Sequence, residues 1–261
     1  MNTLRSQHTA RSTRHAAGLV LATLTLIASF TVQASVIITG TRVVYPANQK
    51  EMSIRFENKN QKPALVQVWL DGGDEEVTPE QAMVPFIATP PIFRMEPDKQ
   101  QVVRLAYTGE PLPKDRESLF WLNMLEVPPK APNSEQSNQL QLAFKTRIKV
   151  FFRPQGLPYE AVQATEKLLW KLVRTEQGLA LEVHNPTPYH LNFDSVDLLA
   201  AGQRHAKPVG ETAAQNMVNP QASNRFPLPS LKSAPSAGAQ VEFQVIDDYG
   251  ARHTHKVQVT P

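Results

Sequence analysis

His253 and His255 stand two residues apart, the spacing that turns both imidazoles to one face of a strand, where together they could chelate a metal ion. No carboxylate or third histidine follows at ligand spacing, so the pair reads as part of a solvated terminal strand and no metal site is assigned. Ser118 follows Arg116 and Glu117, but no histidine lies near it in sequence to act as a base. The chain has no G-x-S-x-G elbow, no H-E-x-x-H, no phosphate-cradling glycine loop and no cysteine for a thiol mechanism. Nothing here points to an enzyme or calls for a cofactor. What remains is a set of charges set among apolar residues: Arg42 before Val43 and Val44, Lys149 between Ile148 and Val150, and Glu117, Arg153 and Asp248. The ordinary setting of such charges is the surface, or a strand edge where they blunt pairing.

The stretch that must position Lys149 and Arg153 runs from 139 to 154. Its first half alternates, with Leu140, Leu142 and Phe144 on one side and Gln141, Ala143 and Lys145 on the other. That period of two specifies a β-strand with one apolar face, and Pro154 stops the ladder. Taken alone, it reads as a sandwich strand whose apolar row faces its own core. The alternative is a strand that keeps the row available for another chain.

The same texture recurs along the chain. Short alternating runs such as Met52-Ser-Ile-Arg-Phe56, Ala64-Leu-Val-Gln-Val-Trp-Leu70 and Gln101-Val-Val-Arg-Leu-Ala-Tyr107 are separated by proline, glycine and asparagine clusters. Thr89-Pro90-Pro91 could hold a cis bond. Residues 155–158 read as a linker and 159–166 as a short helical turn, after which strands resume. Residues 203–240, rich in Ala, Asn, Pro and Ser, are harder to read. No long segment has helical periodicity. The expectation is all-β, with two sandwich domains.

At the other end, Arg5, Arg11 and Arg14 precede an uncharged apolar run that closes on Val32-Gln33-Ala34. This is the pattern of a secretory signal cut after Ala34. The signal holds three of the 27 basic residues and none of the 24 acidic ones, so the mature chain is balanced and gives no argument for nucleic acid. Without cysteine, no disulfide framework is open to this exported chain, and its stability must come from burial. The domains expected are a signal peptide over 1–34, one sandwich over 35–156 and a second over 157–261.

Together these pieces resemble the periplasmic pilus chaperones, the PapD-like family. The resemblance rests on TRVVY at 41–45, IATPP at 87–91, LPKDRESLFW at 112–121 and LQLAF at 140–144, followed by RIKVFFRP at 147–154, NPTPY at 185–189 and IDDYG at 246–250. These lie in the family's order across most of the mature chain. The resemblance implies two immunoglobulin-like domains set as an L around a cleft. It implies that Arg42 and Lys149 anchor the carboxyl terminus of a pilus subunit there, and cleavage after Ala34 makes Arg42 the eighth mature residue, the family's placement. It implies that Leu140, Leu142 and Phe144 form a donor row filling the groove of a subunit that lacks its last strand. Glu117, Arg153 and Asp248 would form the charged network between the domains. The implied partners are pilus subunits and an outer-membrane usher, with a self-capping homodimer when the protein is free.

Lys149 has the opposite parity to the donor row. Either a bulge or twist between Lys145 and Lys149 or a cleft reached from the other face reconciles this. Two departures from the family stand out. The loop over 128–139 is short, as in the branch that usually serves rod-like pili. Asp247 stands where asparagine is common, and the disulfide found in some members is absent. The rival reading among binding proteins is an exported two-domain adhesin, which has no need of Arg42 and Lys149 together.

Overall fold

The computed structural model describes residues 35–129, 142–176, 178–208, 215–235 and 238–259. The first nine strands are β1 (Val36–Ile38), β2 (Arg42–Pro46), β3 (Glu51–Asn58), β4 (Ala64–Asp71), β5 (Phe86–Thr89), β6 (Ile92–Met95), β7 (Gln100–Tyr107), β8 (Ser118–Val127) and β9 (Phe144–Arg153). They form a four-stranded sheet in the order β1-β3-β7-β5 and a five-stranded sheet in the order β2-β9-β8-β4-β6. Alternate residues of the central strands meet between the sheets: Val66 and Val68 of β4, Leu122 and Met124 of β8, and Val150 and Phe152 of β9 all enter one core. The Thr89-Pro90 bond is cis, and at this point the chain passes from β5 in one sheet to β6 in the other.

The second sandwich begins with a short helix, α1 (Ala161–Ala164), and a 3-10 turn at Thr165–Lys167. Its strands are β10 (Leu169–Thr175), β11 (Gly178–Asn185), β12 (Leu191–Ala200), β13 (Gln203–Ala206), β14 (Met217–Val218), β15 (Ala222–Pro227), β16 (Gln240–Ile246) and β17 (Arg252–Gln258). One sheet runs β10-β11-β15; the other runs β13-β12-β16-β17, with β14 paired to β12. Trp170, Phe193, Phe226 and Phe243 meet at the centre of its core, in tilted and edge-to-face pairs with centroids 5.0 to 6.3 Å apart. The fold is that of two immunoglobulin-like β-sandwich domains, each with its own core. Among the described residues, no helix is long and apolar enough to cross a membrane.

The strand read from 139 onward begins at Phe144 in the structure. The reason lies in its neighbour. β8 ends at Val127 and is followed by Pro128 and Pro129, and among the described residues its ladder with β9 ends at the pair Glu126 and Phe144. Leu142 lies in irregular chain just before the strand, and Leu140 falls outside the described residues.

Candidate functional site

β9 organises the site. Its residues are β-branched and aromatic where it is buried, at Ile148, Val150, Phe151 and Phe152, which suits the middle of a sheet. It pairs with β8 from Phe144 through Phe152 without a shift of register. No bulge intervenes, so Phe144, Ile148, Val150 and Phe152 share the core-facing side while Lys145, Arg147, Lys149, Phe151 and Arg153 share the other. Of the two ways to reconcile the parity of Lys149 with the donor row, the geometry selects the second: Lys149 looks out of the sheet toward the other domain.

Arg42 opens β2, which runs parallel to β9, and its backbone is directly paired with Lys149. The two cations therefore sit side by side on adjacent strands. Both reach across to the second sandwich: Arg42 Nη1 donates to the Ile246 carbonyl at 3.0 Å, and Lys149 Nζ donates to Asn192 Oδ1 at 2.5 Å. With Thr41, Trp121 and Arg147 these residues line a cavity of about 260 Å³. Lys149 is only 9% exposed, and burial, then the charge of Arg42, pushes its pKa down to about 8. Burial lowers the pKa of Arg42 as well, against the opposing pull of Asp248 and Asp247. Arg42 Nε is buried and has no hydrogen-bond partner among the described residues. Two desolvated cations with a donor to spare make a seat for an anion, and a carboxylate matches it in charge and size.

Upstream of Lys149, β9 has a strand partner on one side only among the described residues. β2 pairs with it from Arg42 onward, so among the described residues no strand covers the other edge of 144–148. Phe144 is 56% exposed and Leu142 is 55% exposed, large apolar groups beside unpaired backbone. This is what sheet edges normally avoid.

The three charges expected to join the domains do meet. Arg153 Nε donates to Glu117 Oε1 at 2.7 Å, and its two terminal nitrogens clasp Asp248 at 2.6 and 2.9 Å. Burial works against the guanidinium charge, but the hydrogen bonds and charges of Asp248 and Glu117 together hold the Arg153 pKa above its ordinary value. Sequence reasoning missed a fourth member, His190. Its backbone N–H donates to Glu117 Oε2 at 2.8 Å, its ring nitrogen lies 3.2 Å from the same oxygen, and the ring packs on Phe151. Glu117, with a side chain 1% exposed, thus serves both domains, whereas Asp248 stands at 35%. Removing a buried partner costs more than removing a half-exposed one. Glu117→Ala is expected to lower the unfolding free energy by about 2–3 kcal/mol, because Arg153 keeps Asp248. Asp248→Ala should cost about 1 kcal/mol or less. Urea midpoints of the two variants check the order.

The remaining sequence candidates separate. His253 Nε2 is bonded to Asp247 at 2.8 Å, while the His255 ring stacks on Phe243 at 5.4 Å. Asp247 also accepts the N–H groups of Tyr249 and Ala251, closing the β16–β17 turn. Burial opposes its ionisation, yet these bonds keep its pKa below the usual value. No group of three metal-binding side chains occurs among the described residues. Asn192, which completes the cleft with Trp121, carried no sequence signal, since an amide has no motif spacing of its own.

Two family models match the chain: the N-terminal domain of the pili and flagellar-assembly chaperone PapD over residues 35–158, and the C-terminal domain of the pili assembly chaperone PapD over residues 163–257. The chain is 41% identical over 242 residues to a probable fimbrial chaperone of Escherichia coli K12, YadV, covering 92% of this chain and 95% of that one. The crystal structure of a YadV chaperone superposes with a TM-score of 0.72 at 40% identity, over 86% of this chain and 99% of that one. A structure of the Salmonella enterica SafA pilin in complex with the SafB chaperone matches with a TM-score of 0.70 at 28% identity, over 87% of this chain and 97% of that one.

Proposed function

The chain belongs to the PapD family of pilus-assembly chaperones, and on that premise we propose that it captures pilus subunits in the periplasm by lending them a strand. In this reading the bare edge of β9 over 144–148 pairs with the backbone of an incomplete subunit, and Leu142 and Phe144, with Leu140 ahead of them, enter its hydrophobic groove. Arg42 and Lys149 receive the subunit's terminal carboxylate, and the loaded chaperone passes its cargo to an outer-membrane usher. The network of Glu117, Arg153 and Asp248 holds the two domains at the angle that keeps the cleft open.

The observation that carries the reading is the coincidence on one strand of an uncovered edge and a buried, paired cation. Neither is stabilising in the free protein. An adhesin has no use for the pair, and an edge of this kind is a liability without a partner. Capture as pictured needs no nucleotide, since release follows when another strand replaces that of the chaperone. The test is a periplasmic pull-down with tagged wild-type protein in cells assembling fibres. Retention of a small exported protein with an incomplete β-sandwich is expected, and a pull-down with no exported subunit would return the protein to the adhesin reading.

The carboxylate anchor also carries a pH dependence. A bound anion favours the ammonium form of Lys149, so its pKa in the complex lies above the value of about 8 in the free protein. Affinity is then full below about pH 8 and falls as pH rises through it. The slope approaches about tenfold per pH unit until the pKa of the complex is reached. Affinities measured between pH 7 and 9.5 for a purified subunit, with its terminal carboxylate free and amidated, separate this term from the rest.

A further inference from the structure

The face of β9 that looks away from the core carries one ion cluster that neither the anchor nor the domain junction uses. Arg147 lies two residues before Lys149, within the stretch 144–148 whose other edge no strand covers among the described residues. Its Nε donates to Asp71 Oδ2 at 3.2 Å, its Nη2 to Asp71 Oδ1, and its Nη1 lies 3.1 Å from Glu75 Oε1. The guanidinium lies 4.4 Å from the centre of the Trp121 ring, against which Lys149 Nζ also rests at 5.3 Å. Asp71, its side chain 1% exposed, is held in turn by Asn123 Nδ2 at 2.6 Å and by the Gly73 N–H at 2.7 Å. Two residues back along the same face, Lys145 Nζ donates to the Glu75 carbonyl and lies 5.4 Å from the Trp69 ring.

Burying a carboxylate this completely costs stability unless its partners are in place. A guanidinium held by two acids and an indole has also lost most of its freedom. The cluster therefore fixes β9 where a strand with a single neighbour would otherwise fray. It does so from the outer face alone, leaving the edge and Phe144 untouched. It has a second effect. Arg147 lines the cleft, and a third cation there could draw a carboxylate away from Arg42 and Lys149. Asp71 and Glu75 occupy it instead.

We propose that Arg147, clamped by Asp71 and Glu75, is a positioning residue that holds residues 144–148 extended and ready for a partner strand. The proposal rests on the strand-lending reading for its purpose, but its physical claim concerns the free protein. Hydrogen–deuterium exchange of the free, full-length mature protein tests it, with Arg147→Gln and the near-isosteric Asp71→Asn beside wild type. The amides of 144–148 that bond to β8 are expected to exchange at least about tenfold faster in both variants, with 150–152 and the β12–β16 pairing unchanged. Unchanged exchange over 144–148 would overturn it. So would acceleration spread evenly over β8, β9 and the second sandwich, which marks a general loss of stability. No subunit enters this measurement, so its failure is distinct from an empty pull-down with wild type.

Discussion

Lys149→Met is expected to abolish retention of a pilus subunit while leaving the free protein as stable as before, or more so. The two halves have different causes. Truncating one member of a buried charged contact typically costs about 2–5 kcal/mol of binding, or roughly 30- to 5,000-fold in Kd. In the free protein, however, the Lys149 ammonium is buried beside another cation, and burial has already lowered its pKa to about 8. Replacing a desolvated charge with an apolar group of similar length is often neutral or stabilising. The loss of the bond to Asn192 and of the contact with the Trp121 ring is the opposing contribution. Thermal midpoints of the free proteins, set beside subunit co-purification, give both numbers. A variant that loses stability and binding in parallel would reduce Lys149 to a structural residue. Equal retention by variant and wild type would remove the anchor while leaving strand donation standing.

The second large effect is expected at the apolar row. Leu142→Asp and Phe144→Asp together should eliminate capture without moving the thermal midpoint by more than about a degree. Each side chain is more than half exposed and belongs to neither core, so the folded chaperone loses little contact. In a subunit groove each would bury fully, worth roughly 1.5–3 kcal/mol apiece, and a carboxylate in their place adds the cost of its own desolvation. Val150→Asp is the contrasting variant: Val150 has the same parity on the same strand but sits wholly inside the core. It should fail to fold. Subunit co-purification and circular dichroism of the double variant and of Val150→Asp distinguish the exposed part of the row from its buried continuation.

Strands were legible where alternation and burial coincide along them. β3 and β7 show this best, with Ile54 and Phe56 and with Val103 and Leu105 buried between exposed or half-buried neighbours. The face on which Lys149 acts was not legible, because period two gives relative sides and says nothing of what lies beyond each. The strand legible up to Phe193 continues as β12 to Ala200, and that second half hid for a different reason: the register shifts between Phe193 and Ser195, so the alternation breaks midway. In β15 only Phe226 is buried, too little to mark a strand within a stretch of Ala, Ser, Asn and Pro. Arg153 could be linked to Glu117 and Asp248 only through the family resemblance. The hold of Asp71 on Arg147, 76 residues away, left no trace in spacing at all.

The layout of β2 and β9 also dictates a reading direction. β2 runs parallel to β9 and begins at Arg42, opposite Lys149, so the uncovered edge of 144–148 is the track of β2 extended backward. Five residues of strand occupy about 16 Å of that track. A strand laid there in the same sense as β2 finishes at the two cations with its carboxylate. A strand laid the other way brings backbone amides and its amino end toward them, like charge against like. Polarity would thus be decided at the end of the track, before any side chain in the groove is compared.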